Sequence, residues 1–146
     1  MQENAQTHTE EKVITFDDLG LKKEILQSIK DAGFTVPSPI QAAAIPFVLA
    51  GRDIVGQAHT GTGKTAAFAL PALNNIDVRD GVGLLVITPT RELATQVSDE
   101  IFKYGRNMGV KTVTVYGGSS YNRQIDLIQR GASVVVGYTG SFDRLD

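Results

Sequence analysis

The sequence predicts an α/β fold in which a parallel sheet is flanked by helices. Short apolar runs alternate with segments of helical periodicity along most of the 146 residues. The runs are apolar on both faces, as the strands of a buried parallel sheet are. The helical segments are about ten to fifteen residues long, which suits the crossover connections of βαβ units.

Composition narrows the classes of protein. Apolar residues make up 42% of the chain and charged residues 21%, an average globular composition that argues against a disordered chain. The formal net charge of −2 argues against a strongly cationic nucleic-acid coat but leaves room for a local basic stripe. Because there is no cysteine and the only histidines are His8 and His59, we expect no disulfide, catalytic thiol, or thiolate or histidine metal site.

Hydropathy predicts a soluble, cytoplasmic chain with no membrane contact. Residues 1–13 are polar and acidic, unlike a secretory leader, and are expected to form a flexible lead with nothing to bury. No apolar run approaches the ~20 residues that a membrane-spanning helix needs. The length is that of a single domain.

Two helices are predicted first. One carries an apolar face that Gly33 closes, and this face comprises Leu21, Ile25, Leu26 and Ile29. Ser38 and Pro39 then form an N-cap and a first helical turn, so a second helix is expected to run to about Gly51.

Four strands and three further helices are expected to follow. The strands are residues 53–57, 84–87, 113–116 and 134–136. The helices cover residues 64–74, a segment that begins near Thr88-Pro89, and residues 121–130. The second of these is expected to bury one apolar face, made of Leu93, Ala94, Val97, Ile101 and Phe102.

A glycine-rich loop between a predicted strand and a predicted helix is the sharpest motif. It consists of Ala58, His59, Thr60, Gly61, Thr62, Gly63, Lys64 and Thr65. The glycines let backbone N–H groups surround a phosphate at a helix N-terminus, where the helix dipole favours an anion. Lys64 is expected to reach the outer phosphates and the Thr65 hydroxyl to bind Mg²⁺. The alternative is a glycine-rich turn with a solvated lysine.

Together with three further motifs, this loop resembles the first RecA-like lobe of DEAD-box RNA helicases, a P-loop NTPase fold, from about Phe16 to Gly137. The Q motif of that family matches Gly33-Phe34, Pro37 and Pro39-Ile40-Gln41, with Phe16 at its upstream aromatic position. Its motif I matches Ala58 to Thr65, its motif Ia matches Pro89 to Ala94, and its GG motif matches Gly117-Gly118.

The resemblance implies an ATP or ADP site with Mg²⁺. Gln41 would read the adenine edge through its carboxamide and Phe16 would stack on the base. Each residue also has a local alternative. Ser38-x-x-Gln41 is a capping box, and Phe16 could be a hydrophobic anchor for the N-terminal helix.

The resemblance also implies contacts with the backbone of single-stranded RNA. The residues concerned are Pro89, Thr90, Arg91, Gly117 and Gly118. Arg91 lies in the first turn of its predicted helix, where backbone N–H groups and a guanidinium suit a phosphate. The alternatives are a solvated arginine and an ordinary turn after a strand.

The resemblance breaks after Gly137. The family's Thr-Pro-Gly-Arg motif is expected there, but residues 138–146 diverge from it, and no Asp-Glu-Ala-Asp or Ser-Ala-Thr sequence occurs in the 146 residues. One choice among the synonymous codons for residues 138–146, when it is read one base later, encodes Thr-Pro-Gly-Arg-Leu-Ile-Asp-Leu. We therefore expect a frameshift near codon 138. A cloning-derived tail, a sequence error and a genuine divergent ending are the alternatives.

These observations predict an N-terminal helicase fragment in which residues 14–137 form an incomplete lobe. We expect it to bind adenine nucleotide and, weakly, RNA, but not to hydrolyse ATP, because phosphoryl transfer needs groups that these residues lack. Exposed strand edges are expected to favour self-association or a helicase-associated partner. The alternatives are a non-catalytic regulatory module that binds RNA or a partner, and an unrelated P-loop NTPase.

Overall fold

The computed structural model describes residues 14–58, 63–117 and 121–139. These residues form five α-helices and three strands, with short 3-10 helices at Phe16–Leu19 and Arg106–Met108. The helices are α1 (Lys23–Asp31), α2 (Pro39–Leu49), α3 (Lys64–Asn75), α4 (Arg91–Gly105) and α5 (Tyr121–Gln129). The strands are β1 (Leu84–Thr88), β2 (Thr112–Val115) and β3 (Val134–Tyr138). The predicted lead at residues 1–13 and residues 140–146 of the predicted tail lie outside the described residues.

The strands form a parallel sheet in the order β1-β3-β2, as the predicted fold class requires. Val134 of the central strand aligns with Leu84 on one side and Thr112 on the other. Parallel strands place all their carboxyl ends at one edge of the sheet. Residues that follow β1 and β2, and the last residue of β3, therefore meet at that edge.

The hydrophobic core lies between the sheet and the helices, with members from α1, α2, α3 and α4. Its fully enclosed members are the apolar side chains Ile25, Ile45, Leu70, Leu73, Ile101, Val134 and Val136. Their burial stabilises the fold, because each such side chain contributes about 1.5–3 kcal/mol when it leaves water.

Local sequence signals position several helices as predicted. Ser38 and Gln41 form a capping box at the start of α2, and Pro39 occupies its first turn. Gly33 follows α1 with a φ of +81°, a left-handed conformation that favours glycine. Strand β3 continues beyond the predicted Val136 to Tyr138, since Ile87 and Thr88 supply partners in the register.

The prediction of a strand at residues 53–57 was wrong. This segment has no regular secondary structure, and the Val55 side chain is fully exposed. Among the described residues, no strand lies beside it to accept its hydrogen bonds. A parallel strand needs a neighbour for its backbone polar groups, so the apolar composition of the segment was insufficient.

The predicted buried face of α4 was wrong at two positions. Ala94, Val97 and Ile101 are buried, but Leu93 is partly exposed and Phe102 is 62% exposed. Each of these two residues lies next to a buried one along the helix, about 100° around its axis, and so falls at the margin of the inward face.

Strand β1 is an edge strand among the described strands and exposes apolar side chains on one face of the sheet. Leu85 and Ile87 are more than half exposed, and β1 pairs only with β3 among the described strands. The prediction of exposed apolar strand surface is confirmed at these two side chains. In the described ranges, no helix has the length and apolar character needed to cross a membrane.

Candidate functional site

The phosphate-loop motif leads into the N-terminus of α3. Gly63 is the N-cap residue and has a φ of +78°, while Lys64 and Thr65 form the first helical turn. The Gly63 carbonyl accepts the Ala67 N–H at 3.1 Å. The N–H groups of residues 64–66 lie in the first turn, where the helix itself offers no carbonyl acceptor, so they suit an anion. The predicted ligands His59, Thr60, Gly61 and Thr62 lie outside the described residues; Ala58 is half-buried before them.

Gln41 joins α2 to the phosphate loop. Its Oε1 accepts the Ser38 N–H at 3.0 Å, and its Nε2 donates to the Gly63 carbonyl at 3.2 Å. The side chain is buried, at 3% exposure. The capping-box alternative is therefore confirmed by direct contacts, while adenine recognition stays a prediction that would use the remaining amide N–H and oxygen lone pair.

Glycine is strongly favoured at position 63. An added Cβ would overlap the Gln41 amide nitrogen, and the left-handed φ disfavours any other residue. The glycine thus permits both the sharp entry into α3 and the close approach of the Gln41 carboxamide.

Phe16 occupies a buried position rather than an open one. Its side chain is in the core cluster, and its ring lies 6.5 Å from the ring of Phe34, which in turn lies 6.3 Å from Tyr104. The anchor alternative is therefore the one that these contacts support. Stacking of Phe16 on a base stays a prediction and requires that one face of the ring become accessible.

Two clefts reach the residues around the phosphate loop. One, of about 300 Å³, lies beneath the irregular 53–57 segment and is lined by Ile40, Ala44, Ile54, Gly56, Lys64, Ala67 and Phe68. The other, of about 580 Å³, lies between α1 and α4 and has Gly63 at its rim. Burial, with a contribution from Glu100, raises the pKa of the Tyr104 phenol in the second cleft, so this group stays neutral.

Arg91 lies in the first turn of α4, as predicted, and is exposed; the helix begins at Arg91 itself and not near Thr88-Pro89. Its guanidinium carbon lies 4.5 Å from the centroid of the Tyr116 ring, a cation–π contact. Thr90 caps the helix by accepting the Leu93 N–H at 3.2 Å, and Pro89 precedes it at the carboxyl end of β1. The backbone after β1 is thereby fixed beside the ends of the other strands.

Gly117 follows β2 at the same edge of the sheet. Its N–H donates to the Tyr138 hydroxyl at 3.0 Å, and Tyr138 is the last residue of β3. The structure thus brings Arg91 and Gly117 to one edge through contacts with the two tyrosines. Gly118, the other predicted residue of this pair, lies outside the described residues.

Sequence reasoning missed Tyr116, Gln124 and Tyr138. Gln124 holds the Tyr116 backbone at both polar groups, accepting its N–H at 3.2 Å and donating to its carbonyl at 3.1 Å. The position of Tyr116 directly before Gly117-Gly118 was an available signal, because aromatic residues beside backbone-binding segments commonly serve nucleic acids. No sequence signal marks Gln124, whose partner is eight residues away.

The described site can hold anions but shows no cluster for metal chemistry. Within the residues that the structure describes, no group of three or more histidine, aspartate and glutamate side chains converges. Phosphate contacts from Lys64 and the α3 N-terminus, together with the Thr65 hydroxyl, fit a nucleotide that brings its own Mg²⁺.

A family model described as DEAD/DEAH box helicase matches residues 38–145. The chain is 56% identical over 126 residues to the DEAD-box ATP-dependent RNA helicase RhpA of Helicobacter pylori, covering 86% of this chain and 26% of that protein. It is 51% identical to the DEAD-box ATP-dependent RNA helicase CshA of Streptococcus pneumoniae, over 86% of this chain and 24% of that protein. The chain thus spans about a quarter of the length of these curated relatives.

Two solved structures share the fold. A DEAD box protein from the hyperthermophile Methanococcus jannaschii superposes with a TM-score of 0.83 at 40% identity, covering 88% of this chain and 35% of that one. A hypothetical ATP-dependent RNA helicase from Sulfolobus tokodaii superposes with a TM-score of 0.74 at 41% identity, covering 86% of this chain and 36% of that one.

Proposed function

Because the chain belongs to the DEAD/DEAH box helicase family, we propose that it is the part of an ATP-dependent RNA helicase that carries the adenine-nucleotide site and part of the RNA-backbone site. One observation carries the nucleotide part of this proposal. Gln41 donates to the carbonyl of Gly63, so the residue proposed to read adenine is bonded to the loop proposed to hold the phosphates. The family match overturns the alternative of an unrelated P-loop NTPase.

The nucleotide would be held at the N-terminus of α3. The proposed ligands are Phe16, Gln41, Ala58, His59, Thr60, Gly61, Thr62, Gly63, Lys64 and Thr65. Lys64 would neutralise the outer phosphates, and the N–H groups of the first turn would donate to their oxygens. Mg²⁺, arriving with the nucleotide and held through Thr65, supplies charge neutralisation of the phosphates when it is bound.

RNA would lie at the carboxyl edge of the sheet. Pro89, Thr90, Arg91, Gly117 and Gly118 are the proposed contacts, of which Arg91 is the cation. Backbone contacts of this kind position a strand without reading its sequence. A small number of them, in a chain with a net charge of −2, favours weak and salt-sensitive binding.

Hydrolysis by this chain is not part of the proposal. Its 146 residues contain no Asp-Glu-Ala-Asp sequence, and the described part has no carboxylate cluster beside the phosphate loop. Phosphoryl transfer depends on the placement of metal, water and compensating cations together. We therefore expect ATP turnover by the purified chain, with or without RNA, to equal that of buffer.

Calorimetric titration with ATP and ADP tests the nucleotide site. ADP is expected to bind no worse than ATP, because the 146 residues lack the Asp-Glu-Ala-Asp sequence that in this family holds Mg²⁺ beside the γ-phosphate. Lys64→Ala should weaken binding at least about tenfold, as expected for loss of a charge-assisted contact. His59→Ala is the matched control and should bind as the unaltered chain does, because the contact proposed for residue 59 is made by its backbone N–H, which the substitution keeps. ATP bound tenfold more tightly than ADP would contradict the proposal.

The exposed β1 edge favours a second candidate, a non-catalytic module that binds RNA or a helicase partner. Leu85 and Ile87 offer apolar surface beside a strand edge that no other described strand covers, which suits the addition of another strand. An excess of the chain should then inhibit the ATPase activity of an intact helicase, and a chain carrying Leu85→Lys should not. Absence of inhibition would contradict this second candidate and leave the first proposal as the only one.

A further inference from the structure

Tyr116 is linked to Arg91 in two ways, directly through its ring and indirectly through Thr95. The ring lies beneath the guanidinium at 4.5 Å from centroid to carbon, and the phenol oxygen lies 3.2 Å from the Thr95 hydroxyl oxygen. Thr95 in turn donates to the Arg91 carbonyl at 3.2 Å. Since the single Thr95 proton is used there, the Tyr116 hydroxyl must be the donor to Thr95. Tyr116 is thereby tied to the backbone of the residue whose side chain it supports.

Tyr116 is itself held firmly in place. Gln124, a buried residue of α5, bonds both the N–H and the carbonyl of Tyr116, and the preceding Val115 is buried at the end of β2. The ring is therefore a fixed support, because its backbone is bonded on one side and its hydroxyl on the other. A long arginine side chain laid on such a support loses less freedom when it later binds a ligand.

The contact leaves the guanidinium donors available. Among the described residues, the Arg91 side chain has no hydrogen-bond or salt-bridge partner, and a cation–π contact does not consume its N–H groups. The planar fork of donors matches the oxygens of a phosphate in bidentate geometry. An arginine that served only as solvated surface charge would need no aromatic support fixed by three hydrogen bonds.

We propose that Tyr116 is a positioning residue that holds the Arg91 guanidinium ready for an RNA phosphate, with Thr95 and Gln124 holding Tyr116. The proposal rests on the RNA-backbone role proposed above for Arg91. Tyr116 itself need not touch RNA, since its task is to reduce the freedom of the arginine before the ligand arrives.

Binding of a fluorescent ten-nucleotide oligouridylate by the 146-residue chain, followed by anisotropy at several salt concentrations, tests the proposal. Tyr116→Leu should weaken binding roughly two- to fivefold, the range expected for loss of an exposed cation–π contact. Tyr116→Phe should restore most of the affinity because it keeps the ring. In an Arg91→Ala background, Tyr116→Leu should cause no further loss.

Controls separate positioning from general damage. Phe102→Leu removes an exposed aromatic ring from the same helix, and should leave RNA affinity unchanged. Arg91→Ala should reduce the slope of log affinity against log salt by about 0.7, as loss of one phosphate contact on a single strand does. Tyr116→Leu should reduce this slope in part, which a merely structural role would not do.

The outcomes distinguish the two proposals. If Arg91→Ala leaves affinity unchanged, or if the unaltered chain does not bind, the RNA role fails. If Arg91→Ala weakens binding but Tyr116→Leu does not, or if their effects add, the positioning role fails while the RNA role stands. Nuclear magnetic resonance decides the geometry without RNA. The Arg91 δ-protons should show an upfield ring-current shift that Tyr116→Phe keeps and Tyr116→Leu removes, and absence of this shift would overturn the positioning role.

Discussion

Residues 53–57 and strand β3 are both short apolar segments with a glycine near the carboxyl end, yet only β3 belongs to a sheet. Their sequences are Asp-Ile-Val-Gly-Gln and Val-Val-Val-Gly-Tyr. Strand β3 is paired on both sides, by β1 and β2, and its three valines are buried. The 53–57 segment has no strand beside it among the described residues, and its Ile54 and Val55 are exposed.

This difference shows that neighbours decide whether a parallel strand forms. Backbone groups of an extended segment can leave water only when other strands accept and donate their hydrogen bonds. The β-branched residues of 53–57 fit a pleated surface, but such preference depends on the surface being there. The phosphate loop consequently joins an irregular segment to the well-formed helix α3.

The largest expected effect is the difference in stability between placing a charge in β3 and placing one in residues 53–57. Val136→Asp should destabilise the chain by more than about 3 kcal/mol, or unfold it, because the carboxylate would be buried without a partner. Val55→Asp, at a fully exposed position, should change stability by less than about 0.5 kcal/mol. Urea unfolding followed by circular dichroism measures both, and equal losses would remove the basis of the comparison.

The open edge of β1 provides the next test of the role of neighbouring strands. If unpaired strand surface drives self-association, Leu85→Lys with Ile87→Lys should weaken association at least tenfold in sedimentation velocity experiments, because charges on an edge strand oppose pairing. Leu127→Lys is the matched control, since Leu127 is also an exposed leucine but lies on α5. A similar effect of the control would mean that added charge, and not the edge, is responsible.

Gln41 links the start of α2 to Gly63 at the start of α3, and its removal should have an intermediate effect. Gln41→Ala should cost about 1–2 kcal/mol, because the Ser38 N–H loses its cap and the Gly63 carbonyl loses a donor. Gln27→Ala removes an exposed glutamine that bonds only Asp31 among the described residues, and should cost less than about 0.5 kcal/mol. Chemical unfolding of both variants is the measurement, and a Gln41 effect no larger than that of Gln27 would contradict the link.

The smallest expected effect concerns the pH dependence of stability that arises from Tyr104, a buried residue of the packed region. The pKa of Tyr104 is raised in the folded chain, chiefly by burial, above the value of about 10 in the unfolded chain. Above about pH 10 the unfolded state therefore loses a proton that the folded state keeps, so the free energy of unfolding should fall as pH rises. Tyr104→Phe should reduce this fall between about pH 10 and pH 12, and an unchanged slope would show that Tyr104 is not buried in solution.

Much of the fold and some of the site could be predicted because their signals are local. The capping box of Ser38 and Gln41 spans three residues, and the start of α3 at Lys64 follows a glycine whose conformation begins the helix. Helix α4 begins with Arg91 in its first turn for the same reason, since Thr90 supplies the cap. Such features depend on residues within one helical turn of each other. Their spacing in the sequence therefore fixes their relative positions in the structure.

Other features depended on packing between distant segments. The burial of Phe16, the double use of Gln41, and the support of Arg91 by Tyr116 join residues that are 18 or more positions apart. The order and periodicity of the apolar residues by themselves determined that apolar segments would alternate with amphipathic helices in an α/β chain. Only the tertiary structure decided which of those segments became strands, because a strand's hydrogen bonds are completed by its neighbours and not by its own residues.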